Sequence, residues 1–252
     1  MSNTAQPTIS AAILVIGDEI LSGRTKDKNI GYIAEYLTAI GIDLREVRVV
    51  PDDEAEIVTT LNALRARFTY VFTTGGIGPT HEDITADCVA KAFGVNIDHD
   101  PRAVALLRER YTAEELNEAR MRMARIPAGA DLIENPISRA PGFKLGNVIV
   151  MAGVPSIMQA MLDNVAPTLS TGRKIIARSI DANGVPEGIY AAALGAVSKI
   201  HTAVSIGSYP SFVNGGFRNQ IVVRGKDVDA VEAAIADIAK ALQNLNSDNA
   251  PV

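Results

Sequence analysis

Short apolar runs alternate with helix-patterned segments three times in the first 94 residues, and this alternation most constrains the fold. The runs are 11–16, 44–50 and 70–74, and after each one the apolar residues recur every three or four positions. Strands that alternate with helices favour a parallel sheet with right-handed crossovers and helices on both faces. We therefore predict an α/β fold with a mostly parallel sheet.

Further elements follow this alternation. Asp100-Pro101 supplies a cap and a first-turn proline for a helix, and 112–115 reads as a capping box that opens another helix. Strands are predicted at 131–135 and 148–151, with a Pro- and Gly-containing loop between them, and Pro155 opens the next helix.

A domain boundary is predicted near Thr171-Gly172. The first domain would span 8–171, a small second domain 172–245, and a flexible polar tail 246–252. The second domain has the pattern βαββα, with elements at 174–180, 186–198, 203–208, 220–224 and 228–242. This pattern predicts a small α+β domain in which two helices cover one face of a sheet.

A glycine-rich segment, 73–85 (TTGGIGPTHEDIT), lies between the third strand and its helix. Such a turn presents backbone N–H groups and the positive end of a helix dipole, an arrangement that binds phosphate. Its acids, Glu82 and Asp83, are not needed for an anion alone. A divalent metal such as Mg²⁺ that bridges carboxylate and phosphate would account for both features.

Asp18 and Glu19 follow the first strand directly. Ligands of open α/β sheets bind outside the carboxyl ends of the strands, where the strand order reverses. If the first and third strands are neighbours, Asp18, Glu19 and Asp83 share one crevice, where they would hold the metal while the amides of 75–78 hold a phosphate. The alternative is that Asp18 and Glu19 are turn residues only.

Two loops offer further candidates with open alternatives. Asp27 and Asn29 precede the first helix, and each either caps that helix or contacts the ligand. The bases Arg24, Lys26 and Lys28 of the same loop either meet outer phosphates or are solvated.

Two later turns are also candidates. The turn 138–143 either walls the site and places Arg139 on a phosphate or is a plain connection. Gly153, which follows a strand and precedes a helix, belongs to a second anion site or serves close packing.

Composition limits the function classes. The net charge of −5 and the pI near 5.3 argue against broad nucleic-acid binding. No apolar run reaches the roughly 20 residues of a membrane span, and the N-terminus lacks the basic region of a signal peptide. The single cysteine, Cys88, lies on an apolar helix face, which predicts a buried structural thiol and fits a cytoplasmic protein.

Several motifs resemble the N-terminal region of the competence/damage-inducible protein A family, part of the molybdopterin-binding (Mog/MoaB-like) superfamily. They are 17–23 (GDEILSG), Asp27-x-Asn29, 74–85 (TGGIGPTHEDIT) and 135–143 (NPISRAPGF). The resemblance covers roughly residues 10–170, and the remainder is similar to the KH-type domain that follows in that family. The deamidase domain of longer members has no counterpart here, so we do not expect that activity.

The resemblance implies a three-layer α/β/α sandwich that binds molybdopterin-like or nucleotide ligands, and an assembly into homo-oligomers, dimers or trimers. It also implies a set of site residues at Asp18, Glu19, Asp27, Asn29, Gly75, Gly76, Gly78, Thr80 and Asp83. The KH-type domain lacks a Gly-x-x-Gly loop, so we expect it to pack or to oligomerise and not to bind RNA.

One departure from the family concerns 151–158, which reads MAGVPSIM where the family usually reads LPGVPSEM. Ile157 therefore stands in place of a carboxylate. The leading hypothesis is a metal-dependent hydrolase of nucleotide diphosphates such as ADP-ribose or FAD. The alternatives are molybdopterin binding or adenylylation, and a non-catalytic nucleotide-binding protein, which Ile157 favours.

Overall fold

The computed structural model describes residues 8–182, 184–213 and 216–248. They fall into two compact units, divided between Gly172 and Arg173. The predicted tail begins at 246, but the last helix runs to Asp248, and residues 249–252 lie outside the described residues. Within the described ranges, no helix is long and apolar enough to cross a membrane.

The first unit is built on a mixed, mostly parallel sheet. Its strands are β1 (Ser10–Ile16), β2 (Asp43–Val50), β3 (Tyr70–Thr74), β4 (Ile97–His99), β5 (Arg125–Pro127), β6 (Asp131–Ile133), β7 (Gly142–Leu145) and β8 (Val148–Met151). Six of them form one sheet in the order β2-β1-β3-β8-β7-β6. β2, β1, β3 and β8 are parallel, and β7 is antiparallel to both of its neighbours. The predicted α/β class and the adjacency of β1 and β3 are confirmed.

Helices cover both faces of this sheet. They are α1 (Asp18–Leu21), α2 (Asn29–Ile40), α3 (Glu54–Arg65), α4 (Thr85–Phe93), α5 (Pro101–Arg108), α6 (Glu118–Met121) and α7 (Pro155–Val165). Alternate residues of β1 join two separate cores, one with α3, α4 and α5 and the other with α2 and α7. Because each face is covered, β1 is a continuous apolar run and not an alternating one. The three layers predicted from the family resemblance are thus present.

Local signals set several helix ends as predicted. Asp100 accepts a hydrogen bond from the Arg102 N–H (2.8 Å) and caps α5.

Cys88 of α4 is fully buried, and burial raises its thiol pKa to about 12. The prediction of a buried structural thiol is confirmed.

The prediction that a helix begins at the capping box 112–115 was wrong. Thr112 and Glu115 do exchange the expected hydrogen bonds (3.0 and 3.3 Å). They close only a turn, and α6 begins at Glu118, capped by Asn117 instead. The box satisfies its own backbone groups, but these local hydrogen bonds do not by themselves nucleate a helix.

The loop predicted between β6 and β8 was also wrong, because it contains β7. The short pair β4 and β5 was missed as well; it forms a separate two-stranded antiparallel sheet. These strands have only three or four residues, too few for the alternation of apolar and polar residues to be recognised.

The second unit has the predicted βαββα order. It contains β9 (Ile176–Asp181), α8 (Glu187–Ile200), β10 (Val204–Val213), β11 (Gly216–Gly225) and α9 (Val228–Asp248). The strands form an antiparallel sheet in the order β10-β11-β9, and the two helices share a core with it that includes Tyr190, Ile221 and Ile238.

The backbone after β3 passes unusually close to β1. Gly75 has φ 101°, and a Cβ atom there would overlap the carbonyl oxygen of Ile16. The neighbouring loop is equally tight, since a Cβ at Gly153 would lie 3.3 Å from the Gly75 Cα. Only glycine allows three strand ends to approach one another here.

We therefore expect Gly75→Ala to cost about 3 kcal/mol or more of unfolding free energy, since left-handed strain and a backbone overlap add. Gly94→Ala is the matched control, because Gly94 has φ 67° but no atom within 4 Å of the place that a Cβ would occupy. It should lose only the conformational term of about 1–2 kcal/mol. Urea unfolding followed by circular dichroism measures both, and equal losses would contradict this account.

A candidate ligand cleft at the carboxyl ends of the strands

A cleft of about 230 Å³ opens at the carboxyl ends of β1 and β3. It lies between these strand ends, the segment that leads into α2 and the start of α7. Its lining residues are Val15, Ile16, Glu19, Ile20, Thr25, Lys26, Asp27, Lys28, Asn29, Thr74, Gly75, Gly153 and Pro155. The predicted meeting of the first-strand acids with the glycine turn is therefore present for Glu19 and Gly75.

Asp27 and Asn29 build the wall formed by the start of α2. The Oδ1 atom of Asp27 accepts hydrogen bonds from the N–H groups of Asn29 (3.1 Å) and Ile30 (2.8 Å). Asp27 thus caps the helix with one oxygen while it lines the cleft. The side-chain amide nitrogen of Asn29 (Nδ2) donates a hydrogen bond to the Gly153 carbonyl oxygen (2.8 Å). This bond connects α2 to the loop before α7.

Two buried polar atoms of the cleft have no hydrogen-bond partner among the described residues. They are Oδ1 of Asn29 and Oγ1 of Thr74, in side chains that are 4% and 1% exposed. A buried polar atom without a partner costs about 1–3 kcal/mol. Both residues line the cleft, so a ligand there can satisfy them.

Gly75 serves the close approach of strands and not phosphate binding. Its N–H donates to the Met151 carbonyl oxygen (3.2 Å), and its own carbonyl accepts from the Thr85 hydroxyl (3.0 Å). The Thr85 N–H donates to the Gly76 carbonyl (3.0 Å). The predicted use of the Gly75 amide on a phosphate was wrong because this amide is already bonded.

Asp83 lies in a different place from Glu19. Its Oδ2 accepts hydrogen bonds from the N–H and the hydroxyl of Thr80 (2.8 and 2.6 Å), and a Cβ at Gly78 would lie 2.7 Å from the same oxygen. Asp83 and Thr80 therefore hold the glycine turn in shape. With Gly76 and Gly78, Asp83 lines a separate cavity of only about 20 Å³, the volume of one water molecule.

The metal site predicted from Asp18, Glu19 and Asp83 is not formed by these three residues. No group of three or more His, Cys, Asp or Glu side chains in the described chain is arranged to hold a metal ion. Asp18 is exposed and does not line the cleft, and Asp83 is turned into its own loop. This leaves Glu19 and Asp27 as the cleft's carboxylates.

Arg139 does not reach the cleft. It has φ 62° and its guanidinium pairs with Glu109 (3.3 Å). The turn that carries it is instead held by Asn135, whose amide donates to the Ala140 carbonyl (2.9 Å). Pro141 and Phe143 of the same turn line the small cavity, together with Arg122 and Arg125. The predicted phosphate contact of Arg139 was therefore wrong.

Asp52 is the site-edge residue that the sequence reasoning missed. Its Oδ2 accepts a hydrogen bond from the Asp18 N–H (3.0 Å). Burial, and then repulsion by Asp18, Glu19 and Glu82, raise the pKa of Asp52, while the hydrogen bond from Asp18 opposes them. Asp52 lies two residues after the end of β2, so the rule about carboxyl strand ends would have found it once β2 was placed beside β1.

The fold defines an α/β protein with a cleft at the carboxyl edge of its sheet, followed in the chain by a small βαββα unit. The chain belongs to the family described as probable molybdopterin binding domain, which matches residues 12–171. Residues 174–249 match the family described as FAD synthase, middle domain. The KH-type assignment of this second unit stays a prediction.

Two relatives and one solved structure are similar to this chain. A protein of Aeropyrum pernix is 32% identical over 252 residues, with 93% of this chain and 91% of the relative covered. A protein of Pyrobaculum arsenaticum is 36% identical over 210 residues, 79% of each chain. The crystal structure of CinA from Thermoplasma acidophilum, described as of unknown function, is 34% identical with a TM-score of 0.61. It covers 64% of this chain and 98% of that one. The predicted similarity of the N-terminal region to the competence/damage-inducible protein A family is confirmed.

We expect Asp52→Asn to stabilise the protein in a pH-dependent way. A raised folded-state pKa means that the protonated carboxyl favours folding, and that this contribution is lost as the pH rises through the folded pKa. The asparagine side chain would keep an acceptor for the Asp18 N–H without the charge. The variant should therefore match the wild type at about pH 3 and exceed its melting temperature at about pH 7.

The measurement is thermal unfolding across this pH range in metal-free buffer. Asp98→Asn is the control, since the Asp98 side chain is 95% exposed. A variant that is less stable than the wild type at neutral pH would contradict the sign of the Asp52 effect.

Proposed function

We propose that the first unit binds a nucleotide diphosphate in the cleft and hydrolyses its pyrophosphate bond with a divalent metal, acting on dinucleotides of the ADP-ribose or FAD type. One observation carries the proposal. Glu19 and Gly75, from distant loops, line a single cleft together with the bases Lys26 and Lys28 and the start of α7. Basic side chains attract a phosphate and acidic side chains attract a metal ion, so a cleft lined by both favours a ligand that carries phosphate together with a bound metal.

Phosphate recognition is assigned to the edge of the cleft. Lys26 and Lys28 supply positive charge. The first intrahelical bond of α7 runs from the Met158 N–H to the Val154 carbonyl (2.9 Å), so the preceding N–H groups of the first turn are left to a ligand. The helix dipole adds to their attraction for an anion. This end of α7 therefore takes the place of the Gly75 amide as the proposed phosphate-binding group.

The donor set of the cleft fits a metal that takes most of its ligands from elsewhere. Mg²⁺ is usually held by one or two carboxylates together with water and substrate phosphates. Glu19, and the second oxygen of Asp27, would hold such an ion here. When bound, it would offset the negative charge on the diphosphate.

The match to the FAD synthase middle domain supports a nucleotide-type ligand. It concerns the second unit and does not itself describe a hydrolytic activity.

We expect Glu19→Gln to lower the release of AMP from ADP-ribose or FAD by at least about 100-fold, because the cleft loses its metal-facing charge. Glu35→Gln, an exposed residue of α2 outside the cleft, should leave the rate unchanged. The assay follows AMP by chromatography with Mg²⁺, Mn²⁺ and other divalent ions. The proposal would be falsified if the wild type released no AMP with any metal or if Glu19→Gln released as much as the wild type.

A second function, molybdopterin binding without hydrolysis, is favoured by the family description. Ile157 favours only the absence of hydrolysis, as it does for a non-catalytic nucleotide-binding protein. Ile157, in the first turn of α7, packs against the core where the family resemblance places a carboxylate. This function predicts that a pterin ligand raises the melting temperature while no nucleotide is hydrolysed.

A further inference from the structure

The floor of the cleft is chemically different from its mouth. The mouth carries the charged residues Glu19, Lys26 and Lys28, whereas the floor carries the unpartnered oxygens of Asn29 and Thr74. The side chains of Asn29 and Thr74 are nearly fully buried and line the same cavity. A ligand group that enters the cleft deepest comes closest to these two atoms and can supply the partners that they lack.

The orientation of the Asn29 amide is fixed by its neighbour. Its nitrogen faces the Gly153 carbonyl oxygen at 2.8 Å, and a carbonyl can only accept a hydrogen bond. The atom left over is therefore the amide oxygen, an acceptor without a donor. An ionised phosphate offers only acceptors, so it would be repelled at this position. If Asn29 contacts the ligand, as the sequence allows, the contact is therefore to a donor group and not to a phosphate.

We propose, on the basis of the nucleotide-binding function above, that the cleft holds the heterocycle of the ligand, edge first. The exocyclic amino group of that heterocycle donates to Asn29 Oδ1, and the Thr74 hydroxyl bonds to the same edge. The phosphates remain at the mouth, near Lys26, Lys28 and the start of α7. The site thus selects an amino-substituted ring over its oxo counterpart.

The size and the walls of the cleft support this placement. Its volume of about 230 Å³ lies below the roughly 300–1,000 Å³ of pockets that enclose a whole small ligand. The cleft therefore takes one part of a dinucleotide. Its remaining lining is apolar on two sides, with Val15, Ile16 and Ile20 from one segment and Pro155 from another, as the faces of a planar ring require.

Two ligand classes present such an edge, adenine and the 2-amino-4-oxopterin ring. The shared chemistry is a ring-bound amino group next to a ring nitrogen, and the probes below separate the two sources. Hypoxanthine and lumazine are the matched oxo rings, which place an acceptor where the amino group was. A site built to receive a donor rejects such an analogue, because the buried oxygen is then left facing another acceptor.

The first experiment measures binding by isothermal titration calorimetry on the full chain. The probes are AMP against IMP, and 6-hydroxymethylpterin against 6-hydroxymethyllumazine. At least one amino ring should bind about tenfold or more tightly than its oxo partner. AMP preference assigns the cleft to adenine, and pterin preference assigns it to a pterin. Equal affinities within both pairs overturn the proposal.

The second experiment uses two neighbouring threonines as matched variants. Thr73 and Thr74 are both buried, and each has a hydroxyl without a partner among the described residues. They are adjacent on β3, so their side chains lie on opposite faces of the sheet. Thr73 pairs with Leu14 and Val150 of the core formed with α3, α4 and α5, and only Thr74 lines the cleft.

We expect Thr74→Val to weaken binding of the preferred amino ring by about five- to tenfold and Thr73→Val to leave it unchanged. Removing an unsatisfied buried hydroxyl does not cost a hydrogen bond, so both variants should melt at or above the wild-type temperature without ligand. Equal affinity of Thr74→Val and the wild type overturns the proposal.

The outcomes also separate this proposal from the function on which it rests. If ADP-ribose binds and is hydrolysed but amino and oxo rings are not distinguished, the placement of the ring is wrong and the proposed function stands. If no nucleotide binds while the pterin does, the hydrolase function fails and the ring placement stands. If none of the probes binds, both fail.

Discussion

The parallel pairing of β1 with β3 is the contact on which the rest of the site depends. It brings the end of β1 within reach of the glycine turn, and Gly75 lets the backbone pass against the Ile16 carbonyl where any side chain would collide. β8 pairs on the other side of β3, which brings Gly153 close to Gly75 as well. The cleft is the space that remains between these strand ends and the helices that follow them.

This geometry gives different roles to polar residues that look alike in the sequence. Asp27 caps α2, Asp83 holds the glycine turn through Thr80, and Glu19 is left facing the cleft. The glycines differ in the same way, because Gly75 allows close packing whereas Gly76 and Gly78 belong to a separate small cavity. A motif of acids and glycines therefore contains both structural and ligand-facing members, and hydrogen bonding sorts them.

Much of the fold could be predicted, since long elements have strong patterns. β1, β3 and α7 were found because each has an uninterrupted apolar run or a proline start. β4, β5 and β7 were not, because three or four residues carry too little pattern, and β4 and β5 in addition pair across about 30 residues of chain. The capping box near Thr112 shows the converse case, in which the expected hydrogen bonds form but no helix begins there.

By itself, the sequence determined the order of the long elements, their caps and the carboxyl-end position of the candidate residues, because periodicity and capping act over a few neighbouring residues. The tertiary structure alone decided which of these residues face a ligand. Asn29 is the clearest case, since its amide is oriented by Gly153, 124 positions away in the chain. Which hydrogen-bonding atoms of a polar side chain stay without a partner depends on contacts between remote segments, and those contacts exist only after the sheet has formed.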